Sequence, residues 1–174
     1  MDAAHFVLGS YLGYLWCFAR ILVRAPSGRQ RFNVLGALNA ITHQLVTVTN
    51  DSYITAASVC DLLEKLALLG LPGPMTVVMD NARYQHCRLV IERAAHLGIE
   101  LLFLPTYSPN LNLIERLWKF VKKECLYAKY YENFELFKHA LQLCLSETTG
   151  RHKSALSSLL TLEFQTFLSA TSDL

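Results

Sequence analysis

The sequence is poor in charged residues, and its cysteines are not spaced as pairs. Asp, Glu, Lys and Arg make up 17% of the 174 residues, which excludes a coiled coil, and the 52% hydrophobic share excludes a disordered tail. The five cysteines include no C-x-x-C pair, so we expect reduced buried thiols rather than disulfides or zinc ligands. No repeat, low-complexity tract or Pro/Gly/Ser-rich linker interrupts the chain. The composition therefore predicts a single folded domain.

Long hydrophobic runs free of polar residues are also missing. Residues 3–19 and 32–50 contain no Asp, Glu, Lys or Arg, but the first run holds Gly, Ser and His and the second holds Asn, Thr, His and Gln. Asp2 stands where a signal peptide carries positive charge. These features predict a cytoplasmic protein without a membrane span.

Positive charge is modest in total and uneven along the chain. The formal net charge is +2, yet residues 81–130 carry eight basic and four acidic side chains. Such a stretch is typical of a solvated face, and it also suits contact with a polyanion. Charge by itself leaves both interpretations open.

Hydrophobic spacing and turn residues predict strands first, then alternating helices and strands, then helices. The predicted strands are Tyr14–Val23, Arg31–Ala40, Gln44–Thr49, Met75–Met79 and Ile99–Leu104. The predicted helices are Thr55–Leu69 (with Thr55 as its cap), Tyr84–Leu97, Ser108–Leu126, Phe134–Leu145 and Ala155–Leu168. An antiparallel ribbon followed by β-α-β crossovers gives an α/β domain with a mixed sheet covered by helices. This outline resembles a ribonuclease H-like domain, although other α/β folds share it.

Three carboxylic acids are candidate site residues. Asp80 follows a buried strand, where α/β sheets place ligand sites, although an acid there is often only a turn residue. Glu115 lies off the apolar stripe of its predicted helix, and an ordinary exposed acid in an early helical turn fits equally. Asp2 would by itself be read as part of a frayed terminus. Three carboxylates brought together would suit two Mg²⁺ ions about 4 Å apart, as phosphoryl transfer requires.

The segments around these acids carry a family resemblance. The strings DNARYQH (residues 80–86) and SPNLNLIERLW (residues 108–118) resemble the DDE transposases of the mariner superfamily. The nearest branch is the bacterial insertion sequence 630 family, and the 34 residues between Asp80 and Glu115 are a spacing typical of the superfamily. The string DAAHF (residues 2–6) is similar to the segment that holds the family's first catalytic Asp. The resemblance covers roughly residues 1–145.

The resemblance implies a fold, a chemistry and partners. The expected fold is ribonuclease H-like, with Asp2, Asp80 and Glu115 as catalytic residues and as ligands of two Mg²⁺ or Mn²⁺ ions. The expected reaction is hydrolytic nicking at transposon ends, followed by attack of a DNA 3′-hydroxyl on target DNA. The expected partners are transposon-end and target DNA, with a homodimer as the full-length state. We expect a cytoplasmic protein that associates with the nucleoid when it acts.

Six residues near the predicted site are candidates for DNA contact, because phosphate backbone must lie against the metal ions. They are Arg83, His86, Arg116, Lys119, Lys122 and Lys123. His86 either positions a phosphate or a water, or it merely begins a helix. Trp118 is interpreted as a core anchor rather than a platform for base stacking.

The sequence departs from the family at its start. Family members carry N-terminal helix-turn-helix segments that read transposon ends, whereas only Met1 precedes Asp2. We therefore expect an N-terminally truncated transposase whose first central strand is largely missing. The expected catalytic domain spans residues 1–150, and a C-terminal helix within 151–174 packs on it or trails it. Two alternatives are an inactive fragment that binds DNA or a full-length subunit without catalysis, and a host nuclease of the same fold.

Overall fold

A computed structural model of the protein describes residues 1–9, 18, 30–105 and 111–164. Its strands are β1 (Asp2–Val7), β2 (Arg31–Leu38), β3 (Leu45–Asn50), β4 (Met75–Met79) and β5 (Ile99–Phe103). Its helices are α1 (Ala56–Ala67), α2 (Arg88–His96), α3 (Ile114–Cys125), α4 (Phe134–Ser146) and α5 (Lys153–Leu159). The predicted strand at Tyr14–Val23 and the Ser-Pro-Asn start of the third predicted helix lie outside the described residues.

The strands form an antiparallel and a parallel group. In the first group β2 lies between β1 and β3 and is antiparallel to both, and its register sets Gly36 opposite Asp2. In the second group β4 and β5 run parallel, as a β-α-β crossover through α2 requires. The groups meet where the Met1 amino group donates a hydrogen bond to the Val78 carbonyl oxygen at 2.5 Å. The predicted α/β class, with antiparallel strands followed by parallel ones, is confirmed.

Helices cover both faces of these strands. On one side α1 buries its apolar stripe against β2 and β3 and α2 packs on β5, while α3, α4 and α5 pack on the other side. Strand β2 contributes to both cores, because Val34 faces the α3 side and its neighbour Leu35 faces the α1 side. Both residues are fully buried, which accounts for the unbroken apolar run in that strand.

Strand β1 differs from the sequence expectation. We expected the first strand to be largely missing, but Asp2–Val7 form six residues of strand that pair with β2 along their whole length. Asp2, Ala4 and Phe6 are buried, whereas the residues between them are more exposed. This alternation is that of a strand with one face on the core, and it places the Asp2 side chain on the same face as Phe6.

Three predicted helices begin or end elsewhere. Helix α2 begins at Arg88 rather than Tyr84, because Gln85 and His86 turn back to donate hydrogen bonds to the Ala82 carbonyl. Helix α3 begins at Ile114, so Glu115 lies in its first turn.

Helix α5 is shorter than predicted. It spans Lys153–Leu159 and ends before Leu160, whose backbone leaves the helical region with ψ near 49°. The side chains of Leu156 and Leu160 are buried in the core beside α3 and α4.

The predicted N-cap of α1 is confirmed, since the Thr55 amide donates to the Ser58 hydroxyl in a capping box.

The cysteines that the structure describes are free thiols. Cys60, Cys125 and Cys144 are buried and Cys87 is half-buried, as the sequence predicts, while Cys17 lies outside the described residues. Within the described ranges, no helix is long and apolar enough to cross a membrane.

Candidate active site

Two strands bring the first two acidic residues together. Asp2 begins β1, and Asp80 directly follows β4. The hydrogen bond from the Met1 amino group to Val78 aligns the start of β1 with the end of β4. The carboxyl end of β4 is therefore the edge at which both side chains meet.

Asn112, in the segment before α3, connects the start of β1 with the end of β4. Its side-chain amide donates to the Met1 carbonyl oxygen at 3.2 Å and to Asp80 Oδ1 at 3.3 Å. Asn112 is buried, so these bonds are made away from bulk water, where an unpaired amide would be costly. One side chain thus ties the start of β1, the end of β4 and the approach to α3.

Trp118 ties α3 to Asp2. Its indole Nε1 donates to Asp2 Oδ2 at 3.0 Å, and both side chains are buried. The indole also packs edge-to-face on Phe6, with ring centroids 6.3 Å apart. The sequence interpretation of Trp118 as a core anchor is confirmed, and its bond to a site carboxylate was not foreseen.

The Asp2 carboxyl group lies within electrostatic range of Glu115 and Asp80. Its pKa rises from 3.8 to about 6, chiefly because of burial, with smaller contributions from the charges of Glu115 and Asp80. Hydrogen bonds from the Ala3 amide and the Trp118 indole act against this rise. The fold therefore collects negative charge that a cation at this edge would neutralise.

The donor set suits a hard divalent cation. Carboxylate oxygens are the preferred ligands of Mg²⁺ and Mn²⁺, and Mg²⁺ is commonly held by one or two carboxylates together with substrate phosphates and waters. In the part of the chain that the structure describes, no group of three His, Cys, Asp or Glu side chains is arranged to hold one ion. Residues Asp2, Asp80 and Glu115 thus provide suitable ligands without forming a closed cage.

Tyr84 and Gln85 form a further wall of the site. Burial, followed by the charges of Asp2 and Asp80, raises the pKa of the Tyr84 hydroxyl. Gln85 is fully buried and its amide donates to that hydroxyl at 3.3 Å, but its Oε1 has no hydrogen-bond partner among the residues that the structure describes. The sequence interpretation assigned no role to either residue, because it placed both inside a helix.

The basic candidates differ in what they contact. Lys119 and Lys123 are exposed on α3, Lys122 on the same helix is half-buried, and Arg83 is exposed next to Asp80. All four are placed beside the carboxylate edge or on the helix that carries Glu115. Their contact with DNA stays a prediction.

Arg116 is bonded within the chain. Its guanidinium donates to the carbonyl oxygens of Leu159, Thr161 and Glu163, at 3.3, 2.8 and 2.6 Å, and lies over the ring of Phe164. These bonds direct Arg116 towards the segment that follows α5. The sequence offered no signal for them, and the predicted DNA contact of Arg116 remains a prediction.

His86 is held in a defined orientation next to the site. Its Nδ1 lies 2.6 Å from Asn81 Oδ1, and its ring stacks on Phe103 with centroids 4.3 Å apart. Asn81 directly follows Asp80, and Phe103 ends the neighbouring strand β5. The imidazole is exposed, so its remaining nitrogen is accessible to a ligand.

Spacing along the chain hints at only one of the two residues that support the carboxylates. Trp118 stands three residues after Glu115 on α3, so the two side chains lie near each other on the helix, whereas Asn112 precedes the start of α3. The sequence could not reveal that Asn112 reaches Asp80 or that Trp118 reaches Asp2.

Comparisons with known proteins identify a family and a fold for this chain. A family profile described as "DDE superfamily endonuclease" matches residues 1–138. No curated protein sequence matches the chain. Among solved structures, the Mos1 mariner paired-end complex with Mn and a pre-cleavage Mos1 transpososome both superpose with a TM-score of 0.61 at 14% identity and 96% coverage of this chain. The simian T-cell lymphotropic virus intasome superposes with a TM-score of 0.53 at 16% identity, covering 71% of this chain and 43% of its own.

The structural matches establish the fold, and the family profile establishes membership. At these identities the superpositions support the ribonuclease H-like architecture expected from the sequence. The chain spans about half of the Mos1 chains, 55% and 56% of their length. The closeness to the insertion sequence 630 branch stays a prediction. Since the profile covers most of the sequence, including Asp2, Asp80 and Glu115, the chain belongs to the DDE superfamily endonucleases.

Proposed function

We propose that this chain is the catalytic domain of a transposase that cuts DNA and joins it to a target with the help of divalent metal ions. The observation that carries the proposal is the junction of β1, β4 and α3. There, Asn112 and Trp118 hold Asp80 and Asp2 beside the first turn of α3, which bears Glu115. The proposal also draws on the membership in the DDE superfamily endonucleases.

In this proposal Asp2, Asp80 and Glu115 hold two Mg²⁺ or Mn²⁺ ions. When bound, such ions activate a water or a DNA 3′-hydroxyl and stabilise the leaving oxygen of an in-line displacement. The charges of Glu115 and Asp80, which add to the effect of burial on the pKa of Asp2, support this assignment, because a bound cation would offset the repulsion between these carboxylates.

The chain's basic residues then hold the DNA backbone. Lys119 and Lys122 follow Glu115 on α3, four and seven residues on, so they lie on or near its face. Arg83, Lys123 and Arg116 are further candidates for phosphate contact, and His86 is oriented by Asn81 to meet a phosphate or a water. Such contacts hold DNA regardless of its sequence.

The partners of the proposed protein are transposon-end and target DNA, and we propose a homodimer as the full-length state. Solved Mos1 complexes include a paired-end complex with the left transposon end. The alternative from the sequence is an inactive fragment that binds DNA without catalysis. Such a fragment would not nick DNA in a cleavage assay.

The test is Mn²⁺-dependent nicking of supercoiled plasmid DNA, followed on agarose gels. We expect Asp80→Asn and Glu115→Gln each to abolish nicking. The matched controls are Asp61→Asn, an exposed acid on α1, and Glu124→Gln, an exposed acid further along α3. Both controls should nick like the parent protein.

The outcome that contradicts the proposal is equally definite. If the parent chain binds DNA but does not nick it with Mn²⁺, the inactive fragment is the correct reading. If Asp80→Asn and Glu115→Gln nick as well as the parent, the carboxylates have no catalytic role.

A further inference from the structure

The indole of Trp118 lies on the β1–β2 pair, below the start of α3. It is 2% exposed, and it belongs to the core formed by β1, β2 and helices α3 to α5. Its N–H donates to Asp2 Oδ2 at 3.0 Å. A buried indole N–H ordinarily finds some acceptor, often a backbone carbonyl. Here the acceptor is instead one of the three carboxylates of the proposed site.

The space for this contact comes from Gly36. This glycine faces Asp2 across the β1–β2 register. A Cβ atom at position 36 would lie 2.8 Å from Cη2 and 3.1 Å from Cζ2 of Trp118, closer than side chains pack. It would also lie 3.2 Å from the Ile114 side chain. The missing side chain therefore lets the indole approach β2 closely while its nitrogen reaches Asp2 on the neighbouring strand.

Trp118 and Glu115 lie about one helical turn apart on α3. The two residues are three positions apart on α3, so the hydrogen bond fixes the distance between the first and the third carboxylate. The ring also makes an edge-to-face contact with Phe6, which lies on the same face of β1 as Asp2. The indole is thus fixed by Gly36, by Phe6 and by its own helix, and it has little freedom to turn away from Asp2.

We propose that Trp118 is a positioning residue, which orients the Asp2 carboxylate for divalent metal binding in the space that Gly36 leaves. This rests on the proposed function, because it assigns Asp2 to the metal site. A hydrogen bond to a ligating carboxylate fixes the direction in which its free lone pairs point. Loss of such a supporting bond typically weakens metal affinity by roughly 10- to 100-fold.

The first experiment tests the hydrogen bond without any metal. The chain has two tryptophans, so Trp16→Phe leaves a single indole N–H resonance in a ¹⁵N-correlated NMR spectrum. We expect this resonance to move strongly in Asp2→Ala and to stay in place in Asp61→Ala. If the chemical shift of this resonance does not change in Asp2→Ala, the hydrogen bond is not formed and the proposal is wrong.

The second experiment tests metal binding. Trp118 is replaced by benzothienylalanine, which keeps the bicyclic shape and has sulfur in place of the N–H. Electron paramagnetic resonance of free Mn²⁺ measures the affinity. We expect an affinity roughly tenfold or more weaker than in the parent, with Trp118→Phe behaving in the same direction.

The matched control is Leu117→Ala. Leu117 is fully buried on the same helix, so its truncation lowers the melting temperature without removing any bond to Asp2. We expect Leu117→Ala to keep the parent's Mn²⁺ affinity. If it weakens Mn²⁺ binding as much as the Trp118 variants do, or if the Trp118 variants bind Mn²⁺ like the parent, Trp118 is a core residue only.

Failure of the proposed function would look different. In that case the parent chain would have no Mn²⁺ site that Asp80→Asn removes, while the indole resonance would still respond to Asp2→Ala.

Discussion

Burial of Asp2 should make the metal-free protein less stable at neutral than at acidic pH. Its pKa rises from 3.8 to about 6 on folding, chiefly because the carboxyl group is desolvated. The folded state therefore favours the protonated carboxyl. The resulting stability is fully present below pH 3.8 and is lost as the pH rises through about 6. One pKa unit is worth about 1.4 kcal/mol, so the loss approaches about 3 kcal/mol by pH 7.

The substitution that isolates this effect is Asp2→Asn. Asparagine stays neutral at every pH and can still accept the hydrogen bond from Trp118 through its amide oxygen. We expect the free energy of unfolding of Asp2→Asn minus that of the parent to increase by about 2–2.5 kcal/mol between pH 4 and pH 7. Urea unfolding at 25 °C in EDTA, at half-unit pH steps, measures this difference.

The comparison with a variant is needed because the Met1 amino group titrates in the opposite sense. Burial lowers its pKa from 8.0 to about 6, so it adds stability as the pH rises from about 6 to 8. The part of that contribution that comes from burial is common to both proteins and cancels in their difference, whereas the part that comes from the Asp2 charge is lost in Asp2→Asn. Asp61→Asn, an exposed acid on α1, serves as the control and should give a flat difference. A flat difference for Asp2→Asn as well would refute the assignment of a desolvated carboxylate.

Two predictions concern packing, and urea unfolding checks both. Gly36→Ala should cost about 1–3 kcal/mol, because its Cβ would overlap the Trp118 ring. Gly9→Ala, whose added Cβ would meet no described residue within 4 Å, should be near neutral, and equal effects of the two substitutions would contradict the close contact. Leu156→Ala should cost about 2–5 kcal/mol, because Leu156 is buried in the core that α5 shares with α3 and α4. Leu159→Ala should cost much less, because Leu159 is partly exposed. The unfolding transition should stay single, since α5 belongs to the same core. A small effect of Leu156→Ala would mean that α5 only trails the domain.

Much of the fold followed from local pattern. Strand β4 was predicted to the residue, and β2, β3, β5, α1 and α4 to within a few residues, because period-two or helical spacing of apolar side chains is a local property. Turns whose side chains make contacts far along the chain were predicted less well. Gln85 fits a helical pattern, yet its side chain is buried beside the site and the helix starts only after it.

The supporting bonds of the site could not be read from spacing. The bond from Asn112 to the Met1 carbonyl joins residues 111 positions apart, and the bond from Trp118 to Asp2 spans 116. Such contacts depend on how α3 packs across β1 and β2, which no local pattern encodes. For the same reason the sequence suggests that Arg116 is a surface cation, whereas its guanidinium donates hydrogen bonds to carbonyl oxygens of the segment after α5.

The sequence by itself determined the order of strands and helices, the α/β class and the two motifs whose spacing indicates Asp80 and Glu115. It could do so because hydrophobic periodicity and short motifs depend only on residues that are close in the sequence. The tertiary structure decided that Asp2 begins a paired strand, that its carboxyl group is buried and raised in pKa, and that Trp118 bonds to it in the space left by Gly36. These features arise only when β1, β2 and α3 pack together, since desolvation and close approach depend on residues far apart in the chain.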